Sequence, residues 1–105
     1  MTLALIDAIP ALMAGSAVLI KPSEVTPRFI KPLMETVKAI PELAAILSII
    51  DGDGTTGAAM IEHVDYVCFT GSVATGRKVG EAAAKAFIPA SLELGGKDPM
   101  IILAS

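Results

Sequence analysis

The chain has 105 residues, one domain by length, with no room for separate coenzyme and substrate domains of ordinary size. An apolar fraction of 53% and a mean hydropathy of +0.69 exclude an intrinsically disordered chain. Eight basic and eleven acidic residues leave a net charge of −3, without the basic footprint of a nucleic-acid binder. One Cys and one His exclude a disulfide framework and a Cys/His zinc site, so no metal is expected.

In chain order, the spacing of Leu3, Ile6, Ile9 and Met13 predicts an amphipathic helix over 3–13, stopped by Gly15. The charge-free stretch Ala8 to Ile20 is too short to span a bilayer, which takes about 20 residues. No basic residue precedes Lys21, so a secretory leader is not indicated and a cytoplasmic location is expected, away from membranes. Ala17 to Ile20 is a continuous apolar run, read as a strand buried on both faces, as in parallel sheets. Thr26-Pro27 reads as a helix start, with Thr26 as cap and Pro27 at the first helical position. Ile30, Leu33, Met34 and Val37 continue that helix, and Pro41 closes it.

Ile46 to Ile50 reads as a second buried strand, broken at Asp51-Gly52-Asp53-Gly54. A short helix is expected over 57–62 and a third strand over 66–69, ending at Thr70-Gly71-Ser72. An Ala-rich helix over 72–87 follows, with Val79, Ala82, Ala83 and Ala86 facing the sheet. Residues 90–94 form a fourth strand, turned by Gly95-Gly96-Lys97, and Met100 to Leu103 a fifth apolar run. Alternating helix and strand is the pattern of an α/β fold: an open, mostly parallel Rossmann-like sheet with helices on both faces. A two-sided apolar strand at the end of the chain suggests that part of the sheet's cover is missing. Cys68, mid-strand, and the five methionines are expected in the core, and His63 on the surface.

In such sheets ligands bind at the carboxyl ends of the strands. Four strand ends carry polar or glycine-rich residues: Lys21-Pro22-Ser23-Glu24, Asp51-Gly52-Asp53-Gly54, Thr70-Gly71-Ser72 and Glu93-Leu94-Gly95-Gly96-Lys97. A parallel topology places them all on one rim. Ser72 at a helix start favours an anion such as phosphate, or is simply the cap of an ordinary turn. Lys21 and Glu24 can reach sugar hydroxyls, or form a solvated ion pair of little worth. Glu93, its Cβ opposite those of Leu92 and Leu94, reads as a partly buried general base or as a half-exposed strand residue. The turn from Thr70 to Gly76 carries neither the G-x-G-x-x-G fingerprint nor a Walker motif.

Taken together, these segments resemble the aldehyde dehydrogenase superfamily. The likeness is carried by Pro10 to Ser16, by Lys21-Pro22-Ser23-Glu24-Val25-Thr26-Pro27 and by Gly52-Asp53-Gly54 with Gly57. Phe69-Thr70-Gly71-Ser72 with Thr75-Gly76-Arg77 and Leu92-Glu93-Leu94-Gly95-Gly96-Lys97-Asp98-Pro99 complete it, in family order along the whole chain. The resemblance implies a partial dinucleotide-binding domain over 1–105, with NAD as coenzyme and NADP left open. It implies that Lys21 and Glu24 hold the adenosine ribose, with Ser23 beside them. Gly52 and Gly57 would border the adenine, and Ser72, with Thr75, the pyrophosphate. Gly95 would lie by the nicotinamide, and Glu93 would activate the water that hydrolyses a thioester. A carboxylate at Glu24 disfavours a 2′-phosphate and so favours NAD.

The family's nucleophilic cysteine and oxyanion-hole asparagine have no counterpart here: Cys68 lies in a different strand, and the sequence contains no Asn. The expectation is therefore a segment of an enzyme that oxidises small aldehydes to acids, inactive alone and prone to self-association through uncovered apolar surface. The alternatives are a non-catalytic nucleotide-binding module or a vestigial fragment.

Overall fold

Continuous aliphatic runs separated by helices pair in parallel, because only a crossover returns the chain to the same end of the sheet. The computed structural model describes residues 2–96 and 101–102. In it β1 (Val18–Ile20) pairs in parallel with β2 (Leu47–Ile49), Ile20 opposite Ile49. β3 (Val67–Thr70) pairs in parallel with β4 (Ala90–Glu93), Phe69 opposite Leu92 and Thr70 opposite Glu93. The fold is α/β with parallel strands, in two two-stranded sheets among the described residues. The chain divides into two compact units, Met1–Val64 and Asp65–Ser105, each holding one strand pair.

In the first unit, α1 (Thr2–Leu5), α2 (Ala8–Met13), α3 (Ile30–Lys38) and α4 (Pro41–Ala44) gather round β1 and β2, and α5 (Gly54–Ile61) follows β2. The core is Ala8, Ile20, Ile30, Val37, Leu47 and Ile49, with Leu5, Leu12, Val18 and Leu33 packed against it. The strands are buried on alternate residues rather than on both faces. Leu19 is 41% exposed and Ser48 is exposed, because successive side chains point to opposite faces and the core lies on one.

Prolines explain where the helices depart from expectation. An uninterrupted helix from Leu3 would set the Pro10 ring against the Ile6 carbonyl. The chain instead turns at Ile6-Asp7 and restarts at Ala8, so Pro10 falls in a first turn whose N–H groups lack partners anyway. Thr26 does not cap: Pro27–Phe29 form a 3-10 turn and α3 begins at Ile30, which puts Pro32 in its first turn. Pro41 does not close α3, which ends at Lys38. It opens α4 instead, with Ile40 held extended before it.

In the second unit α6 (Val73–Ala86) packs on β3 and β4. Gly76 and Ala83 are its buried positions and Val79 and Ala82 are half-buried, but Ala86 is exposed. Gly76 lies against Leu94, and a Cβ on Gly80 would stand 3.4 Å from Leu92 Cδ1, so α6 faces the Leu92–Phe69 side of the sheet. Cys68 and Ser91 consequently fall on the opposite face. Cys68 is exposed, not core, and the Tyr66 hydroxyl donates to Ser91 Oγ nearby at 3.2 Å. Phe87 ends α6 in the left-handed conformation (φ 61°) and is 98% exposed. His63 is exposed as expected, whereas Met13, expected in the core, is exposed and Met34 and Met60 are half-buried. Of the expected fifth strand, Met100 and Leu103 lie outside the described residues, and Ile101 and Ile102 are irregular and exposed. Met1 also lies outside them.

Candidate functional site

In the first unit the ends of β1 and β2 stand side by side, and each delivers polar groups to the same edge. Lys21, the residue after β1, donates from Nζ to the Gly52 carbonyl at 3.1 Å and to Glu24 Oε2 at 3.0 Å. Its side chain is only 18% exposed, while that of Glu24 is 63% exposed. Two of three ammonium donors are thus engaged inside the protein, and the third is available to an outside acceptor. The Lys21 stem runs over Gly57, where an added Cβ would lie 3.4 Å from Lys21 Cδ. Glycine at that position of α5 leaves the lysine room to lie flat.

A bond from its own backbone N–H, then the hydrogen bond and charge of Lys21, hold the Glu24 carboxyl below the ordinary glutamate range; Asp53 opposes this weakly. Glu24 therefore stays ionised at neutral pH. Ser23 is occupied locally, its Oγ accepting from Val25 N at 3.2 Å. Asp53 caps α5, its Oδ1 accepting from Thr55 N at 2.9 Å, Thr56 N at 3.3 Å and the Thr55 hydroxyl at 2.6 Å. Those donors, the Thr55 hydroxyl foremost, hold its carboxyl below the ordinary aspartate range.

In the second unit the ends of β3 and β4 are adjacent too. Gly71 N donates to the Glu93 carbonyl at 3.0 Å, tying the turn after β3 to the end of β4. Ser72 caps α6: its Oγ accepts from Thr75 N at 3.2 Å and donates to Thr75 Oγ1 at 3.0 Å. Both side chains are exposed at the start of a 14-residue helix, whose N-terminal end favours negative charge. Glu93 is exposed, so the partial burial expected of it is not found, although Leu92 and Leu94 on either side are half-buried, as the alternation requires. Gly95 follows in the left-handed region (φ 78°), turning the chain away from β4.

The structure thus brings Lys21, Glu24, Gly52 and Gly57 together in one unit, and Ser72 and Thr75 near the end of β4 in the other. Sequence reasoning placed Gly52 and Asp53 at a polar strand end but missed their roles, the Gly52 carbonyl as acceptor for Lys21 and the Asp53 carboxylate as cap of α5. The carbonyl leaves no mark in residue type. Asp53 did leave one: Asp followed by Gly-Thr-Thr and an apolar run is a helix N-terminus pattern. Among the described residues no group of His, Cys, Asp and Glu is placed to hold a metal ion, and no helix is long and apolar enough to cross a membrane.

The aldehyde dehydrogenase family model matches residues 1–105. A Mycolicibacterium smegmatis protein, provisionally named a succinate-semialdehyde dehydrogenase (NADP+), is 41% identical over 97% of this chain and 20% of its own length. The Anabaena variabilis protein provisionally named aldehyde dehydrogenase PutA superposes with a TM-score of 0.90 at 61% identity, over 94% of this chain and 21% of that one. A point mutant of Staphylococcus aureus betaine aldehyde dehydrogenase, solved in complex with NAD+, superposes with a TM-score of 0.73 at 34% identity, over 85% of this chain and 18% of that one. The chain spans about a fifth of the length of the relatives it matches.

Proposed function

The chain belongs to the aldehyde dehydrogenase family, and from that premise we propose that it is the coenzyme-holding part of an NAD-dependent enzyme that oxidises aldehydes to carboxylic acids. The observation that carries this reading is the bridge made by Lys21, whose ammonium links the Glu24 carboxylate to the Gly52 carbonyl at the ends of two parallel strands. A cation with one donor to spare beside an ionised, exposed carboxylate suits a vicinal diol: the ammonium donates to one hydroxyl and the carboxylate accepts from the other. The adenosine ribose of NAD offers such a diol, so the residues fit the coenzyme.

When bound, the coenzyme would supply the hydride acceptor for oxidation of the aldehyde. Lys21 and Glu24 hold the ribose, with Gly57 leaving space along the lysine stem. Within the second unit by itself, Ser72 and Thr75 would present hydroxyls and the start of α6 to an anion such as a phosphate. Ser72 gives up its bond to Thr75 Oγ1 when it donates to such an anion. Glu93, being exposed, is open to water and would accept a proton from a water attacking an acyl thioester formed on a thiol outside this chain. Cys68 is not the nucleophile in this reading: it lies within β3 opposite Ser91, not at the strand ends that carry the coenzyme residues. In this reading the chain alone does not oxidise aldehydes.

Titration of NAD, followed by calorimetry, tests the reading. Saturable binding weakened in Lys21→Ala and in Ser72→Ala supports it; no binding up to millimolar NAD overturns it in favour of a vestigial fragment. Binding without any contribution to turnover when the chain is placed in a complete family enzyme favours the non-catalytic module.

Self-association belongs to the same proposal. Leu3, Ile9 and Met13 on the first two helices are 69%, 53% and 84% exposed, an apolar stripe that water disfavours. A concentration-independent monomer in sedimentation equilibrium would contradict it.

A further inference from the structure

We propose that Asp53 is a positioning residue for the coenzyme site: by capping α5 it fixes the Gly52 carbonyl and thereby the Lys21 ammonium that bonds to it. The inference rests on the reading that Lys21 holds the ribose.

The Gly52 carbonyl belongs to the peptide plane that ends at the Asp53 nitrogen, so its direction is set in part by the Asp53 backbone. Asp53 is held at φ −92° and ψ −164° while a single side-chain oxygen, Oδ1, gathers three donors from the first turn of α5. Thr56 packs against the same residue, its side chain occupying the space that a Cβ on Gly52 would need. The carbonyl so fixed accepts from Lys21 at 3.1 Å. The first turn of α5 meets the lysine a second time at Gly57, over which the stem lies. Lys21 is therefore laid along the start of a helix, and the stiffness of that start decides where its ammonium stands. Loss of the cap frays the turn and loosens both contacts, while the Lys21–Glu24 pair within the β1 loop persists without a fixed direction.

Cap and charge are separable. Asparagine at the N-cap keeps the side-chain acceptor and removes the charge, whereas alanine removes both. Glycine is tolerated at an N-cap with little loss of helix stability, yet has no side-chain acceptor. It serves as the second variant should Asp53→Ala not fold.

The experiment measures NAD affinity by calorimetry and, without coenzyme, the ¹⁵N NMR signal of the Lys21 ammonium. The variants are Asp53→Ala, Asp53→Gly, Asp53→Asn, Lys21→Ala and Lys21→Ala with Asp53→Ala. Asp53→Ala and Asp53→Gly are expected to weaken NAD binding about tenfold and to shift the Lys21 signal, as for loss of one oriented charged hydrogen bond. Asp53→Asn is expected to stay within about twofold of wild type, since the acceptor remains. Adding Asp53→Ala to Lys21→Ala is expected to cost nothing further, because the two act through one group. An unmoved Lys21 signal with unchanged affinity in Asp53→Ala and Asp53→Gly overturns the proposal, as does an equal loss in Asp53→Asn or an additive loss in the double variant. Wild-type NAD affinity in Lys21→Ala overturns the coenzyme reading itself, a result distinct from those.

Discussion

Lys21 and Gly52, 31 positions apart in the chain, are joined by a 3.1 Å hydrogen bond from ammonium to carbonyl that closes the ends of β1 and β2 over one another. The bond turns a flexible cation into a fixed one. A surface lysine facing only Glu24 would sweep a wide arc and contribute little. Anchored at two oxygens and laid over Gly57, it offers its remaining donor in one direction.

The anchoring predicts a pH profile. Glu24 is held below the ordinary glutamate range in the folded protein, so its pairing with Lys21 is complete above the unfolded value and is lost only as pH falls through the lower, folded one. NAD affinity should stay level from neutral pH down through the ordinary carboxylate range and decline only in more acid solution. Calorimetry across that span checks it; a decline beginning near pH 6 would be the wrong sign for a depressed carboxyl.

Coenzyme choice should turn on the same side chain. An ionised Glu24 repels a 2′-phosphate at close range, so the protein is expected to prefer NAD, although several relatives bear NADP+ names. Glu24→Gln removes the repulsion and keeps the length of the side chain. The ratio of NADP to NAD affinity should rise by about tenfold or more, given the strength of one close like-charge contact.

Two glycines of α6 should respond oppositely to alanine. At Gly76 the new methyl would run into Leu94 and stand 3.0 Å from its Cδ1, so overpacking should destabilise by about 1–3 kcal/mol. At Gly80 the nearest atom, Leu92 Cδ1, is 3.4 Å away, and Gly80→Ala should stabilise by about 0.5–1 kcal/mol through helix propensity. Urea midpoints of the two variants decide the matter.

Phe87 is the described non-glycine residue with positive φ, and its ring is almost wholly in water. A Cβ in the left-handed region costs about 1–2 kcal/mol, and glycine at the end of a helix avoids that cost. Phe87→Gly should therefore raise the melting temperature even though it removes an apolar side chain; a lower one would mean that the ring is packed in solution.

Much of the strand layout was legible, because aliphatic runs such as Val18 to Ile20 and Leu47 to Ile49 are bounded by glycine, proline or charge. Their parallel pairing followed from the helices between them. Helix ends depart from expectation at Pro10, through which one helix was expected to run, and at Pro27 and Pro41, where proline by itself suggested a start and a stop. What decides is whether its missing N–H falls within a first turn, and Pro32 shows how one residue can displace a helix start by three. Cys68 was misplaced because an apolar run does not say which of its faces receives a helix. Among site residues, Lys21 and Glu24 could be picked out by type and spacing, and Ser72 by its place before an Ala-rich helix. The Gly52 carbonyl could not, since every residue carries one and only the turn aims it.

Each parallel pair is completed by a stretch of chain that comes after it has begun, and this bears on synthesis. β1 waits for β2, which ends at Ile49, and β3 waits for β4, which ends at Glu93. On the ribosome the first pair can close while the second is still being translated, so the lysine at the end of β1 can find its carbonyl before Glu93 has left the exit tunnel.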